Sequence, residues 1–250
     1  MEELKSAMEV SVNNDVPVLE DFLVSPDNFD PEKFKSGAIL LFNKPEHWSS
    51  FKLVKKVKYY TKAARVGHAG TLDPLATGLL IICTGKCTKL IERIQDMPKV
   101  YTGKFNFGKT TPSYDLETDF DAEYPYNHIT DQALSMTVSA MIGEIEQVPP
   151  VYSAIKVNGT RAYKFARQGQ ELELKSRKIR IYDFKIEGQV PDINFEVKCS
   201  KGTYIRTLAH DFAQNLQSGC YLSELKRTAI GEFKLNDAFQ IEEFQELCGF

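Results

Sequence analysis

Apolar positions along this chain follow two distinct periods. Ile39 to Phe42 is an unbroken apolar run, and Leu79 to Cys83 is another, flanked by glycines. Runs this short, closed off by punctuating residues, predict buried strands. Alternation over Val100 to Phe107, and again at Ile193, Phe195, Val197 and Cys199, predicts strands with one covered face. Helical spacing lies between them. Leu53, Val54, Val57 and Tyr60 predict a helix capped by Ser49 or Ser50 and running to about Thr61, with Lys52, Lys55, Lys56 and Lys62 on its solvated side. Leu90, Ile91, Ile94 and Met97 predict a second helix, ended by Pro98. Thr130 to Ile142, stopped at Gly143, and Thr207 to Leu216, with Gly219 beyond it, predict two more. Strands and helices mix without regular alternation, so the fold class expected is α+β rather than a doubly wound sheet.

Composition narrows the class. With 250 residues, 42% of them hydrophobic, the chain can bury a sizeable core as one large domain or two small ones. No apolar run approaches the roughly 18 residues of a membrane span. The acidic start lacks a basic-plus-apolar leader, so a cytoplasmic location is expected. Five scattered cysteines, an odd number, argue against a disulfide framework. Cys83 and Cys87 lie four apart, but no second pair completes a metal set, and the four histidines are dispersed. Charge is unevenly placed. Residues 1–36 carry net −6 and residues 231–250 net −4, which leaves +7 on residues 37–230 against a total of −3. The first 36 residues read as an acidic extension that packs loosely, and 232–250 as a short acidic tail. The basic body between them suits a polyanion.

Candidate chemistry concentrates in Gly67-His68-Ala69-Gly70-Thr71-Leu72-Asp73-Pro74-Leu75-Ala76-Thr77-Gly78-Leu79-Leu80. Three glycines and a proline fix an unusual backbone path around one carboxylate. On turn chemistry alone Asp73 would form an Asx-turn with nearby amides. A second feature is Pro149 to Arg180, where Lys156, Arg161, Lys164, Arg167, Lys175, Arg177, Lys178 and Arg180 interleave with Tyr152, Tyr163 and Phe165. Cations meet phosphates and aromatic faces stack on unpaired bases, although an exposed amphipathic segment would look similar. Gly85-Lys86-Cys87 lacks the glycine spacing and the hydroxyl residue of a phosphate loop.

The Gly67–Leu80 string resembles the signature of the TruB family of pseudouridine synthases, which turn a specific uridine of RNA into its C-glycoside isomer. The resemblance runs from about Gly37 to about Gly231. Ala38-Ile39-Leu40-Leu41-Phe42-Asn43-Lys44-Pro45 is similar to the family's first motif, with Asn43 where the family has aspartate. Lys99-Val100-Tyr101 and Ser200-Lys201-Gly202-Thr203-Tyr204-Ile205-Arg206-Thr207 match two further motifs.

The resemblance implies a pseudouridine synthase fold: a mixed, mainly antiparallel central sheet flanked by helices, spanning residues 37–231. It makes 149–180 an insertion that clamps an RNA stem-loop. It gives Asp73 the part of nucleophile or base, Arg206 that of its cationic partner, and Tyr101 that of a ring stacked on the uracil. Lys44 is expected to meet a backbone phosphate, His68 to help hold the rearranged loop, and Tyr204 and Leu225 to line the pocket. The isomerisation involves no redox step and no group donor, so no cofactor and no metal is expected. Most bacterial members carry a further RNA-binding PUA domain, and only about twenty residues follow Gly231 here. The expectation is therefore a stand-alone, monomeric tRNA enzyme without that domain, needing no protein partner and no membrane. Its substrate would be the T-arm stem-loop, at the T-loop uridine conventionally numbered 55. Two other classes compete: an RNA-binding or tRNA-folding module without chemistry, and a glycosidase, which would need a second carboxylate at a defined separation.

Overall fold

The computed structural model describes residues 18–250 except positions 154, 158, 163, 164, 166, 167, 169, 171 and 173. Of the expected clamp residues, Tyr163, Lys164 and Arg167, together with the side chains of Lys156 and Arg161, lie outside the described residues. So do residues 1–17 of the acidic extension.

One large mixed sheet organises the chain. Its strands are β1 (Leu23–Val24), β2 (Ile39–Lys44), β3 (Val66–His68), β4 (Thr77–Thr84), β5 (Lys99–Phe107), β6 (Gly143–Gln147), β7 (Arg177–Gln189), β8 (Asp192–Cys199), β9 (Cys220–Ile230) and β10 (Phe233–Lys234). They lie in the order β1-β2-β4-β9-β5-β8-β7-β6, with β3 beside β4 and β10 beside β9. Only β1/β2 and β4/β9 are parallel pairs. The longer helices among the described residues are α1 (Ser50–Thr61), α2 (Ile91–Asp96), α3 (Asp131–Met141), α4 (Ile205–Asn215) and α5 (Ile241–Leu247). The mixed, mainly antiparallel sheet with flanking helices is the α+β architecture the sequence led us to expect.

Local signals explain the framework. Ser49 caps α1 by accepting from the Lys52 amide, and Thr130 caps α3 by accepting from Ala133. Strand β4 is buried on both faces, as its unbroken apolar run requires: Leu80 and Ile82 face α1, while Leu79 and Ile81 pack with Ile94 of α2. Strands β5 and β8 present Phe105, Ile193, Phe195 and Val197 to α4, where Leu208, Ala209 and Phe212 complete the central core.

Both ends of the chain differ from expectation. Leu19, Val24 and Phe34 are buried, and β1 extends the sheet, so residues 18–36 form part of the core rather than a loose extension. At the other end Phe239, Ile241 and Phe244 are buried, and Phe244 packs edge-on against Phe42 at 4.9 Å. These few apolar residues all face inward while the acids face water, which a charge count does not register. The basic segment also ends earlier than expected. Arg177 to Arg180 open β7, where Ile179 and Ile181 point into the core between outward-facing cations.

Candidate active site

Residues 69–76 join β3 to β4 and are pinned on both sides of Asp73. The Ser50 hydroxyl, at the start of α1, donates to the Leu72 carbonyl at 3.0 Å and accepts from the Leu72 amide at 2.9 Å. Beyond Asp73, the Pro74 carbonyl accepts from the His47 amide at 2.8 Å and from Lys44 Nζ at 3.2 Å. The second residue of the strand that follows is Gly78 at φ +98°, where a Cβ would overlap the Arg227 carbonyl oxygen. Only glycine fits that approach. The loop is thus a fixed platform, and it is not an Asx-turn: among the described residues no backbone amide donates to the Asp73 carboxylate.

Asp73 Oδ2 instead accepts from Arg206 Nε at 2.9 Å. Arg206 is 3% exposed and Asp73 37%, so a buried cation holds a carboxylate that still reaches the surface of the cleft. The remaining guanidinium nitrogens are committed as well, Nη1 to the Ser113 carbonyl at 2.9 Å and Nη2 to the Tyr152 carbonyl at 2.8 Å. Four separate stretches of chain therefore meet at one side chain in the first turn of α4. The sequence places that helix start two residues later, at Thr207; in the structure Tyr204 is the capping position and Ile205 the first helical residue.

A second carboxylate, which sequence reasoning missed, shares this cation. Asp115 is buried with Oδ2 3.5 Å from Arg206 Nε, and its Oδ1 accepts from Ser113 Oγ at 2.6 Å and from the Glu117 amide at 3.0 Å. Burial pushes its carboxyl pKa upward, against the pull of Arg206. Nothing in Pro112-Ser113-Tyr114-Asp115 distinguishes this acid from its acidic neighbours before the fold is known.

Tyr101 on β5 is buried beside the same loop. It is the register partner of Arg227 on β9, and Arg227 Nη1 reaches its hydroxyl at 3.5 Å. Burial raises the Tyr101 pKa, with the Arg227 charge opposing. Arg227, 1% exposed and also missed by sequence, donates to the Leu79 carbonyl at 2.8 Å and the Gly70 carbonyl at 3.0 Å. It fastens the loop to the sheet beneath it.

Of the residues expected to touch RNA, Lys44 requires a correction. It is fully buried, and its ammonium donates to the carbonyls of Pro45 at 2.8 Å, Trp48 at 2.7 Å and Pro74 at 3.2 Å. Desolvation lowers its pKa to about 8. Three carbonyls saturate its three donors, so Lys44 braces the loop from below rather than meeting a phosphate. Asn43 donates to the Gln240 side chain at 3.2 Å, a contact that uses its amide. His68, on β3, is half-buried with Nδ1 enclosed and unpartnered among the described residues; burial and the Arg227 charge lower its pKa. Tyr204 is fixed by Gln147, whose side chain brackets its backbone N–H at 2.7 Å and carbonyl at 3.1 Å. Leu225 lies on β9.

Asp73, Tyr101, Tyr204, Arg206, Leu225 and Arg227 are among the residues that line one cleft of about 730 Å³, whereas Lys44 and His68 are outside its lining. Its size falls in the range of pockets that take a nucleotide-sized ligand. A larger trough of about 1090 Å³ on the sheet carries mixed surface charge from Lys185, Glu187, Glu196, Glu224 and Lys226, and only Leu225 of the expected residues borders it. The smaller cleft is the one with a buried charge network. It offers an anchored carboxylate, an aromatic wall and enclosed cations, and it can do acid, base or nucleophilic work on a flat polar ring.

Comparison with known proteins places the chain in a family. The family described as TruB family pseudouridylate synthase (N terminal domain) matches residues 57–205. The tRNA pseudouridine synthase B of Flavobacterium johnsoniae is 50% identical over 224 residues, covering 86% of this chain and 98% of its own. That of Bacteroides thetaiotaomicron is 49% identical over 224 residues, covering 85% and 93%. Among solved structures, a Cbf5-Nop10-Gar1 complex aligns with TM-score 0.66 at 22% identity, over 94% of this chain and 66% of that one, a likeness that concerns the fold. The chain belongs to the TruB family of pseudouridylate synthases.

Proposed function

We propose that this protein isomerises a uridine of tRNA to pseudouridine, with Asp73 as its catalytic carboxylate. The relatives that match most of the chain are named for that activity on tRNA. The observation that carries the assignment of Asp73 is its pairing with buried Arg206 at the edge of the cleft. The reaction breaks C1′–N1, turns the uracil, joins C1′ to C5, and moves one proton from C5 to nitrogen. Atoms and electrons balance within the substrate, so the protein has to supply position, charge and a proton path.

The target nucleotide must leave its stack, at a cost of a few kcal/mol. Tyr101 gives the extruded uracil a face to rest on and stands within reach of C5. Asp73 acts as nucleophile or base at the sugar or the ring, held by Arg206 so that its carboxylate does not turn away as charge redistributes. Lys44, Ser50 and Arg227 act on the loop rather than on the RNA. Tyr204 and Leu225 border the space in which the base turns, and His68 helps hold the rearranged RNA loop.

The finer reading is that the RNA is the T-arm stem-loop and the target the T-loop uridine at position 55. In this reading residues 37–231 form the catalytic body, the basic segment from 149 to the start of β7 clamps the arm, and a monomer acts alone in the cytoplasm. The charge of the body and the Tyr152 carbonyl bound to Arg206 support it, since the latter joins the clamp's base to the site. Incubating the protein with a T-arm minihelix and mapping product by carbodiimide-blocked primer extension tests the activity and its target uridine. A stop at the T-loop uridine alone is expected; no stop, with RNA bound, would favour a tRNA-folding module instead.

A further inference from the structure

Arg177 has no role in the chemistry above, yet its surroundings are those of an incomplete site. It opens β7 and borders the cleft, with its guanidinium 4.4 Å over the ring of Tyr204. Nε and Nη2 are enclosed and have no hydrogen-bond partner among the described residues. Guanidinium groups remain charged in proteins, and one shielded from water without an acceptor is costly. Its neighbours are engaged: Lys178 pairs with Glu144 at 2.9 Å and Lys201 with Asp96. Gly202 lies alongside at φ +82°, where a Cβ would touch the guanidinium at 3.7 Å.

Resting on the proposed function, we propose that Arg177, laid flat on Tyr204, receives a phosphodiester of the RNA backbone beside the extruded nucleotide. Three features favour that ligand. A guanidinium stacked on a ring keeps a planar fork whose geometry matches two phosphate oxygens, and the Nε–Nη2 edge of this one has no acceptor among the described residues. Arg177 and Tyr204 line the same cleft as Asp73 and Arg206, so a strand whose base enters it brings its backbone close to them. Gln147 holds the Tyr204 backbone at both its N–H and its carbonyl, which fixes where the ring beneath Arg177 is rooted before RNA arrives. The contact positions the backbone and reads no base.

The test is the salt dependence of RNA binding by the full chain. Wild type, Arg177→Gln and Arg177→Lys are titrated with a labelled T-arm minihelix between about 50 and 200 mM salt. Loss of one phosphate contact lowers the slope of log K against log salt by about 0.7–0.9. Arg177→Gln should show that drop together with about tenfold weaker binding at the lowest salt, whereas Arg177→Lys keeps the wild-type slope with weaker binding. Unchanged slope and affinity in Arg177→Gln would overturn the inference, as would weaker binding at unchanged slope, the mark of a purely structural role. If Arg177→Gln fails to fold, Arg177→Met, which keeps an apolar stem over Tyr204 and removes the charge, takes its place: a slope lower by about 0.7–0.9 supports the contact, and an unchanged slope overturns it. Pseudouridine yield by the wild type is read on the same RNA. No product there would sink the proposed function, whereas product with Arg177→Gln binding as the wild type does would sink this inference alone.

Discussion

Asp115 Oδ2 lies 3.5 Å from Arg206 Nε, the nitrogen that donates to Asp73 Oδ2 at 2.9 Å. One buried guanidinium therefore stands between two carboxylates, one enclosed and one facing the cleft. The enclosed partner fixes where Arg206 sits, and Arg206 in turn fixes Asp73. Asp115→Asn keeps the shape and removes the charge. Its isomerisation rate under saturating enzyme should fall by about tenfold to a hundredfold, the scale of a small misplacement of a reacting group. RNA affinity and thermal stability should change little. Single-turnover kinetics checks this, and a wild-type rate would remove Asp115 from the positioning network.

Lys44 gives a test of the opposite kind. Its donors are taken up by the carbonyls of Pro45, Trp48 and Pro74, so it owes nothing to RNA in this structure. Lys44→Gln should leave the salt slope of RNA binding as it is in the wild type. Stability in urea should fall by about 1–3 kcal/mol as buried carbonyls lose their partner. A shallower salt slope would restore the phosphate role that the sequence suggested.

Gly78 combines φ +98° with contact against the Arg227 backbone. Gly78→Ala should destabilise the protein by at least about 2 kcal/mol, because strain and overlap act together. It should also lower activity by shifting the Asp73 loop against β9. Urea unfolding measures the first effect, and stability equal to the wild type would contradict the geometry.

Asp211, on α4, has its pKa pushed up by burial from the ordinary 3.8 to about 6. Between these values the unfolded chain releases this proton before the folded chain does. The group's contribution to stability is therefore fully present below about pH 4 and lost as pH rises through 6. Asp211→Asn should match the wild type near pH 4 and exceed it by about 1–2 kcal/mol at pH 7, allowing for partial solvent screening. Parallel urea curves at both pH values would reveal the difference; a constant offset would contradict the linkage.

How much of this was legible in the sequence depended on the range of the interaction involved. Strands β4 and β5 and helix α1 follow from periods contained within about ten residues and from the Ser49 cap. The Asp73–Arg206 pair spans 133 residues, and only the resemblance of two motifs joined them beforehand. Arg227 could not be found that way, because bulges at Leu222/Glu224 and Arg227/Ala229 break the alternation of β9 that would have marked its inward side. Strand β7 was hidden by the cations on its outer face. The C-terminal Phe239, Ile241 and Phe244 were hidden by five acids in the same twenty residues. In each case the information lay in which residues meet across the sheet, and a one-dimensional pattern does not carry it.

The central claim concerns one carboxylate, and Asp73→Asn addresses it directly. The variant is isosteric and keeps an oxygen that can accept from Arg206, so the fold and RNA binding should persist. Wild type and variant are incubated with T-arm minihelix carrying tritium at uracil C5, and released tritium is counted alongside carbodiimide mapping. The account predicts full release by the wild type and none above background by the variant, with RNA binding retained in both. Release by Asp73→Asn at a rate near that of the wild type would contradict it.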